Sequence, residues 1–423
     1  MSAEVSLSGR ADWLDDRHLR KLLAVLKDGG EEARVAGGAV RNALMGQPVA
    51  DIDIATTTLP EETIRRAEAA GFKTAPTGIE HGTITVIAGG KPYEVTTLRA
   101  DIDTDGRRAK VAFGRDWKRD AERRDFTINA LYAEADGRVV DLVGGIADIE
   151  ARRLRFIGDA EARIREDYLR ILRFFRFFAW YGSGRPDAEG LKACARLKDG
   201  IDRLSAERVW AELRKLLSAL DPSRALLWMR QAGVLTKALP ESEKWGIDAI
   251  HGLVAAERDL GWAADALLRL EAMVPPDAER MRLLAERLKL SNAEAECLKK
   301  WASAPKIEPA MTESALARQL YRSGRQPAID RLKLSLASAR ARAVTDNDAL
   351  VEAGGYSRLL KFAEKWTAPK FPLKGSDLQT IGVPNGPRMG KLLKRLEEEW
   401  VEADFRLGGD ALLERAAKYH SDS

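Results

Sequence analysis

A chain of 423 residues, 45% apolar and 32% charged, is long enough for two to four domains and excludes a disordered, collagenous or disulfide-stapled protein. It has no apolar run of roughly eighteen residues and no apolar signal core in MSAEVSLSGRADWLDDRH, and its two cysteines (Cys194, Cys297) and four histidines are too scattered for a zinc site, so the expectation is a reducing cytoplasm and no membrane. The net charge of +4 is uneven: residues 1–150 hold 21 basic against 26 acidic side chains and 151–230 hold 18 against 11, which suits metal-binding carboxylates beside a polyanion-binding surface.

In chain order, ARVAGG (33–38) reads as a short strand ending in glycines, and AVRNALMG (39–46) as the helix that follows. VADIDIAT (49–56) alternates aspartate with isoleucine at the period of a strand. PEETIRRAEAAG (60–71) is helical, with proline near its start and glycine at its end. GTITVIAGG (82–90) and KPYEVTTLR (91–99) form a hairpin through Gly89-Gly90. Residues 100–118 read as a polar, mobile loop, whose DIDTDG opens like a calcium loop but has Ala112 where that loop needs glutamate. GRVVDLVGG (137–145) is a strand running into a turn or hinge. Beyond about residue 150 apolar residues recur at helical spacing, in 165–182, 202–220 and 222–235 and then near 276–303, 311–323, 325–344, 346–366 and 387–404. Pro275-Pro276 and 367–377 are the best linkers.

Four segments stand out. On a strand the carboxylates of Asp51 and Asp53 leave the same face, and two carboxylates that close together call for a cation; hard oxygen ligands suit Mg²⁺. A lone DxD is weak, since edge strands often alternate acids. Here Gly37 and Gly38 lie upstream between strand and helix, where backbone N–H groups can approach phosphate, and Arg41 is one turn on and can point toward the same anion. Neither a P-loop nor a dinucleotide fingerprint is present. In RRDFTINAL (123–131), Arg123 and Arg124 offer fixed donors to phosphate or ribose, and Asp125 and Asn129, four apart on a helix, suit a sugar hydroxyl or a simple helix cap. DLVGG (141–145) reads as a hinge or a turn without chemistry.

The fourth segment is REDYLRILRFFRF (165–177). On a straight helix Asp167 and Arg170 are one turn apart and Arg173 continues the stripe, while Arg176 lies half a turn round. A carboxylate accepting from an exocyclic amino group beside a guanidinium donating to a ring nitrogen fits cytosine and adenine and repels uracil and guanine. Such a helix selects C and A without a template. The plainer reading is a basic amphipathic helix with Phe174, Phe175 and Phe178 in the core.

GGAVR, DID, RRDFTINAL, DLVGG and EDYLRILRFFRF, in this order over about 35–182, resemble the class II tRNA nucleotidyltransferase and poly(A) polymerase family, and 375–404 is similar to its C-terminal segment. The resemblance implies an α+β head with a polymerase-β-like nucleotidyltransferase sheet over 1–150, followed by an all-α neck (151–235), body (236–370) and RNA-binding tail (371–423). It implies Asp51 and Asp53 as ligands of two Mg²⁺ ions. Gly38, Arg41 and Arg124 are implied as nucleotide contacts, and Asp167, Arg170, Arg173 and Arg176 as the base-selecting helix. Asn42 departs from the aspartate usual after GGxVR, and Glu94 is the best candidate for a third carboxylate. The activity implied is addition of C, C and A to tRNA 3′ ends from CTP and ATP, with release of pyrophosphate. Poly(A) or partial CC or A addition, and a non-catalytic RNA-binding module, are the alternatives.

Overall fold

Short strands with buried small and branched residues build the sheet that carries the site. In chain order they are β1 (Ala33–Ala36), β2 (Asp53–Thr56), β3 (Lys73–Gly78), β4 (Thr83–Ala88), β5 (Lys91–Thr97), β6 (Arg99–Asp105), β7 (Arg108–Phe113), β8 (Leu131–Ala133) and β9 (Val139–Asp141). Seven of them form one mixed sheet ordered β3-β4-β5-β2-β1-β8-β9, while β6 and β7 pair separately. The expected hairpin is present: β4 and β5 pair antiparallel, and both Gly89 and Gly90 take positive φ in the turn. β2 and β5 run parallel, which sets Asp53 opposite Glu94. The structure, a computed structural model, describes residues 5–105, 108–242 and 247–421. They divide into two compact units, Met1–Pro240 and Glu241–Ser423.

The helices of the first unit are α1 (Arg17–Lys27), α2 (Gly38–Leu44), α3 (Pro60–Ala69), α4 (Trp117–Glu122), α5 (Gly145–Glu150), α6 (Ala160–Glu166), α7 (Leu169–Tyr181), α8 (Ala188–Leu197), α9 (Ala206–Leu217), α10 (Ser223–Gln231) and α11 (Val234–Ala238). Helix α1 starts at Asp16, whose carboxylate accepts the His18 N–H at 2.8 Å, and it buries Leu19, Leu22, Leu23 and Leu26 along one stripe. The first unit therefore pairs an α+β part with a helical continuation, and α7 joins the two through aromatic packing. Phe126 lies between Phe156 and Phe177, at 4.9 and 5.3 Å between ring centroids, and Phe156 stacks on Phe174 at 5.4 Å. Phe174, Phe175 and Phe178 are buried, as the core reading of that helix expects.

Four local expectations are corrected. Strand β2 begins at Asp53, so Asp51 lies on the segment entering it rather than on the strand. Residues 99–113 form the β6–β7 hairpin instead of a loop, although 106 and 107 fall outside the described residues. Its polar strands lack the apolar alternation that marks a strand in sequence. RRDFTINAL forms no α-helix: α4 ends at Glu122, and Thr127–Asn129 make a single 3₁₀ turn. The helix expected over 165–182 breaks at Asp167, which is extended (φ −155°, ψ 109°) between α6 and α7.

The glycines of DLVGG serve packing. A Cβ on Gly145 would overlap the Thr127 carbonyl, coming within 2.9 Å of its carbon, and Gly144 takes φ +82°. The second unit is helical, from Ile247–Leu260 to Gly409–Ser421. One of its cores gathers Leu332, Leu336, Leu359 and Leu360, and another surrounds Trp400. Among the described residues no helix is long and apolar enough to cross a membrane.

Candidate active site

A cleft of about 520 Å³ lies in the first unit, and every site residue expected from sequence except Asp51 and the third-carboxylate candidate Glu94 lines it: Gly37, Gly38, Arg41, Asp53, Arg124, Asp125, Asn129, Asp167, Arg170, Arg173 and Arg176. Arg123 and Phe177 complete the wall. The sheet supplies one side and α7 the other.

At the glycine end, β1 turns into α2 through Gly37 at φ +68°. The positive φ favours glycine, and a Cβ there would sit 3.1 Å from the Arg124 guanidinium, which would have to give by a few tenths of an ångström. Arg41 differs from its expected role. Its guanidinium donates to the Asn129 side-chain oxygen, to Asn42 Oδ1 at 2.8 and 3.1 Å, and to the Tyr181 hydroxyl at 2.8 Å. It also lies 4.0 Å over the Tyr181 ring. With most of its five N–H groups engaged and the residue buried, Arg41 is a strut between α2 and α7 more than an open phosphate ligand. Asn42 accepts from that strut and donates to the Pro48 carbonyl at 2.8 Å.

Asp53 opens onto the cleft with protein behind it. Partial loss of hydration, then the neighbouring carboxylates Glu94 and Asp51, push its carboxyl above the usual range, and Arg124 opposes them. Glu94 is therefore part of this acidic edge, placed there by the parallel register. Among the described residues no three side chains close into a ready-made metal cage. This acidic edge, with Asp53 crowded by neighbouring carboxylates, nevertheless fits a hard divalent cation that takes its remaining ligands from water and phosphate, as Mg²⁺ does.

Asp125 and Asn129 come together as expected, but across the 3₁₀ turn: Asn129 Nδ2 donates to Asp125 Oδ1 at 3.0 Å. Asp125 also accepts from Arg173 Nε and Nη2 at 2.8 and 2.5 Å. Burial works against its ionised form, but Arg173, Asn129 and the Phe126 N–H hold its carboxyl below the usual range. The pair thus ties RRDFTINAL to α7.

The remaining members of the α7 row also have partners. Asp167 Oδ1 accepts the Leu169 N–H at 3.1 Å and its Oδ2 accepts from Arg208 at 2.6 Å. Arg170 donates to the Arg163 carbonyl at 2.8 Å and to Glu166. Arg176 pairs with Glu212 at 2.7 Å and stacks 4.3 Å over Phe177. Sequence reasoning missed Arg208, Glu212, Phe177 and Tyr181. A signal existed for one of them: Glu212 interrupts the apolar stripe Val209, Leu213, Leu216 of α9, and a buried acid on such a stripe needs a cationic partner.

The chain is similar to known proteins over most of its length. Residues 33–155 match the Poly A polymerase head domain, and 185–245 match the probable RNA and SrmB-binding site of polymerase A. The mouse mitochondrial CCA tRNA nucleotidyltransferase 1 is 34% identical over 403 residues, covering 93% of this chain and 88% of that protein. The CCA-adding enzyme of Limosilactobacillus fermentum is 31% identical over 401 residues, covering 94% and 96%. The crystal structure of the Bacillus stearothermophilus CCA-adding enzyme in complex with CTP superposes with a TM-score of 0.70 at 27% identity, covering 96% and 99%. A Thermotoga maritima CCA-adding enzyme with tRNA shares the fold at TM-score 0.63 and 20% identity, covering 99% and 100%.

Proposed function

Because the chain belongs to the class II tRNA nucleotidyltransferase and poly(A) polymerase family, we propose that it adds C, C and A to the 3′ end of tRNA from CTP and ATP, releasing pyrophosphate. The observation that carries this reading is the meeting, in one cleft, of the Asp53 edge with Asp167 and Arg170. One part of such a cleft does chemistry on a triphosphate and another reads a base edge, with no template between them.

The chain's own groups act as follows. Arg123 and Arg124 face the cleft and donate to the triphosphate. Each Asp167 oxygen holds one protein donor and keeps capacity for another, so the carboxylate can still accept from an amino group on C or A. Arg170 supplies the donor for the ring nitrogen. Asp51 and Asp53, with Glu94 beside them, would hold the divalent metal with which this family works, which we take as a pair of Mg²⁺ ions; when bound, it activates the 3′-hydroxyl and offsets charge on the phosphates. The hydroxyl attacks the α-phosphorus in line, and the bond to pyrophosphate breaks.

We assign the head to 1–150, the neck to 151–235, the body to 236–370 and the tail, with RNA contacts, to 371–423. The basic stretch 151–230 suits RNA phosphates, with binding that weakens as salt rises. Unpaired Cys194 and Cys297 favour a reducing compartment, for which we name the cytoplasm. The test is incubation with tRNA lacking its 3′ CCA and each nucleoside triphosphate separately, with products sized on a gel. Two residues added from CTP and one more with ATP are expected. Long products from ATP alone would replace this reading with poly(A) synthesis, and no extension of any RNA would overturn it.

A further inference from the structure

Asp120 lies near the C-terminal end of α4, one turn before Arg123 and Arg124, with a side chain only 1% exposed. Its two oxygens serve different partners. Oδ1 accepts from Nε and Nη2 of Arg123 at 2.8 and 2.6 Å. Oδ2 accepts from Nε and Nη2 of Arg124 at 3.4 and 3.3 Å and from the Tyr132 hydroxyl at 2.7 Å. The other side of Tyr132 is packed edge-on against Trp117 at 5.0 Å, and Arg34 lies 4.0 Å over the Trp117 ring. Arg124 further donates to the Asn129 carbonyl at 3.3 Å.

Two guanidiniums on adjacent residues repel one another, and each has many rotamers when free. Here both line the cleft, and a single buried carboxylate lies between them. Despite its burial, Arg124, Arg123 and the Tyr132 hydroxyl hold that carboxyl below the usual range, so it is ionised at neutral pH. Asp120 itself does not line the cleft.

We propose that Asp120 is a positioning residue: it clamps Arg123 and Arg124 side by side as one fixed cationic surface for the triphosphate of either nucleotide. The proposal rests on the nucleotidyl-transfer reading of the cleft and adds to it the group that pre-organises the phosphate contacts, at no point touching the base.

The experiment titrates CTP and ATP into the full-length protein with Mg²⁺ and without tRNA, by calorimetry, for wild type, Asp120→Asn, Asp120→Glu and Tyr132→Phe, and measures incorporation in parallel. Asp120→Asn is expected to weaken both nucleotides by about tenfold or more and by equal factors, since displaced charge-assisted hydrogen bonds are involved. KM should rise with it, the CTP-over-UTP preference should stay as in wild type, and Asp120→Glu should recover most of the loss. Unchanged affinity in an Asp120→Asn protein that still melts cooperatively would overturn the clamp, as would unequal losses for CTP and ATP. Should Asp120→Asn fail to fold, Tyr132→Phe decides: it keeps the carboxylate and loses one of its bonds, with about threefold weaker binding of both nucleotides expected and no change overturning the proposal. A wild-type protein that binds both nucleotides but extends no tRNA would remove the proposed function and leave the clamp to stand on the titrations.

Discussion

Replacing Asp167 by alanine separates reading a base from starting a helix. The carboxylate accepts the Leu169 N–H at 3.1 Å, pairs with Arg208 at 2.6 Å and faces the cleft. Loss of the helix-start contact costs about 1 kcal/mol. The Arg208 pair has side chains 26% and 24% exposed, so solvent screens it and its loss adds at most about 1 kcal/mol. Together these predict a melting point only a few degrees lower. Selection should change by much more. An acceptor for the amino group that also repels a carbonyl is worth roughly 1.5–3 kcal/mol, or ten- to a hundredfold in the ratio of kcat/KM for CTP over UTP. Asp51 and Asp53 are untouched, so pyrophosphate release should persist with the wrong base. The assay compares that ratio on one tRNA for wild type, Asp167→Ala and Arg208→Gln, the last keeping the carboxylate while removing its partner. A CTP-over-UTP ratio unchanged in Asp167→Ala, well below its melting point, refutes the base-reading role and leaves Asp167 as a helix-starting residue.

Asp51→Ala and Asp53→Ala should each lower incorporation of CMP and AMP at least a hundredfold without loss of cooperative melting; a higher residual rate in Mg²⁺ contradicts the metal assignment. Asp125→Asn should cost roughly 1.5–3 kcal/mol at neutral pH, because Arg173 loses a charged partner. Its carboxyl is held below the usual carboxylate range in the folded state, so the stability it contributes is present above that range and disappears as pH falls through the lower folded value. Urea melts of wild type and Asp125→Asn should therefore converge in acid, and a gap independent of pH would show that the charge contributes nothing. Gly145→Ala should destabilise by about 1–3 kcal/mol, read as a lower urea midpoint, since its Cβ meets the backbone of Thr127 rather than a movable side chain; an unshifted midpoint would mean that the turn relaxes freely.

Much of the cleft's lining was legible because the chemistry proposed for it admits few residue types. Phosphate approach asks for glycine, cation binding for carboxylates, base reading for a carboxylate beside a guanidinium, and these survive as short motifs: Gly37 and Gly38, Asp51 and Asp53, Asp167 and Arg170. The β4–β5 hairpin was legible for a local reason too, since Gly89 and Gly90 accept the positive φ that the turn needs. The break at Asp167 was not. Neither glycine nor proline marks it, and the carboxylate that starts α7 is also bound by Arg208, 41 residues away.

What the sequence alone determined was the order of elements around the motifs and the kinds of group brought to the cleft, because periodicity, turn chemistry and ligand chemistry act over a few neighbouring residues. Tertiary structure alone decided which of those groups are free. Arg41 looked like an anion ligand one turn into a helix, and packing surrounded it with Asn129, Asn42 and Tyr181 instead. Glu94 became a neighbour of Asp53 only through the parallel pairing of β2 with β5. Arg173 found Asp125, 48 residues earlier in the chain, and Arg176 found Glu212 on α9. Hydrogen bonds and charge pairs are decided by distances of a few ångströms between segments far apart in the chain, and only the packed fold sets those distances.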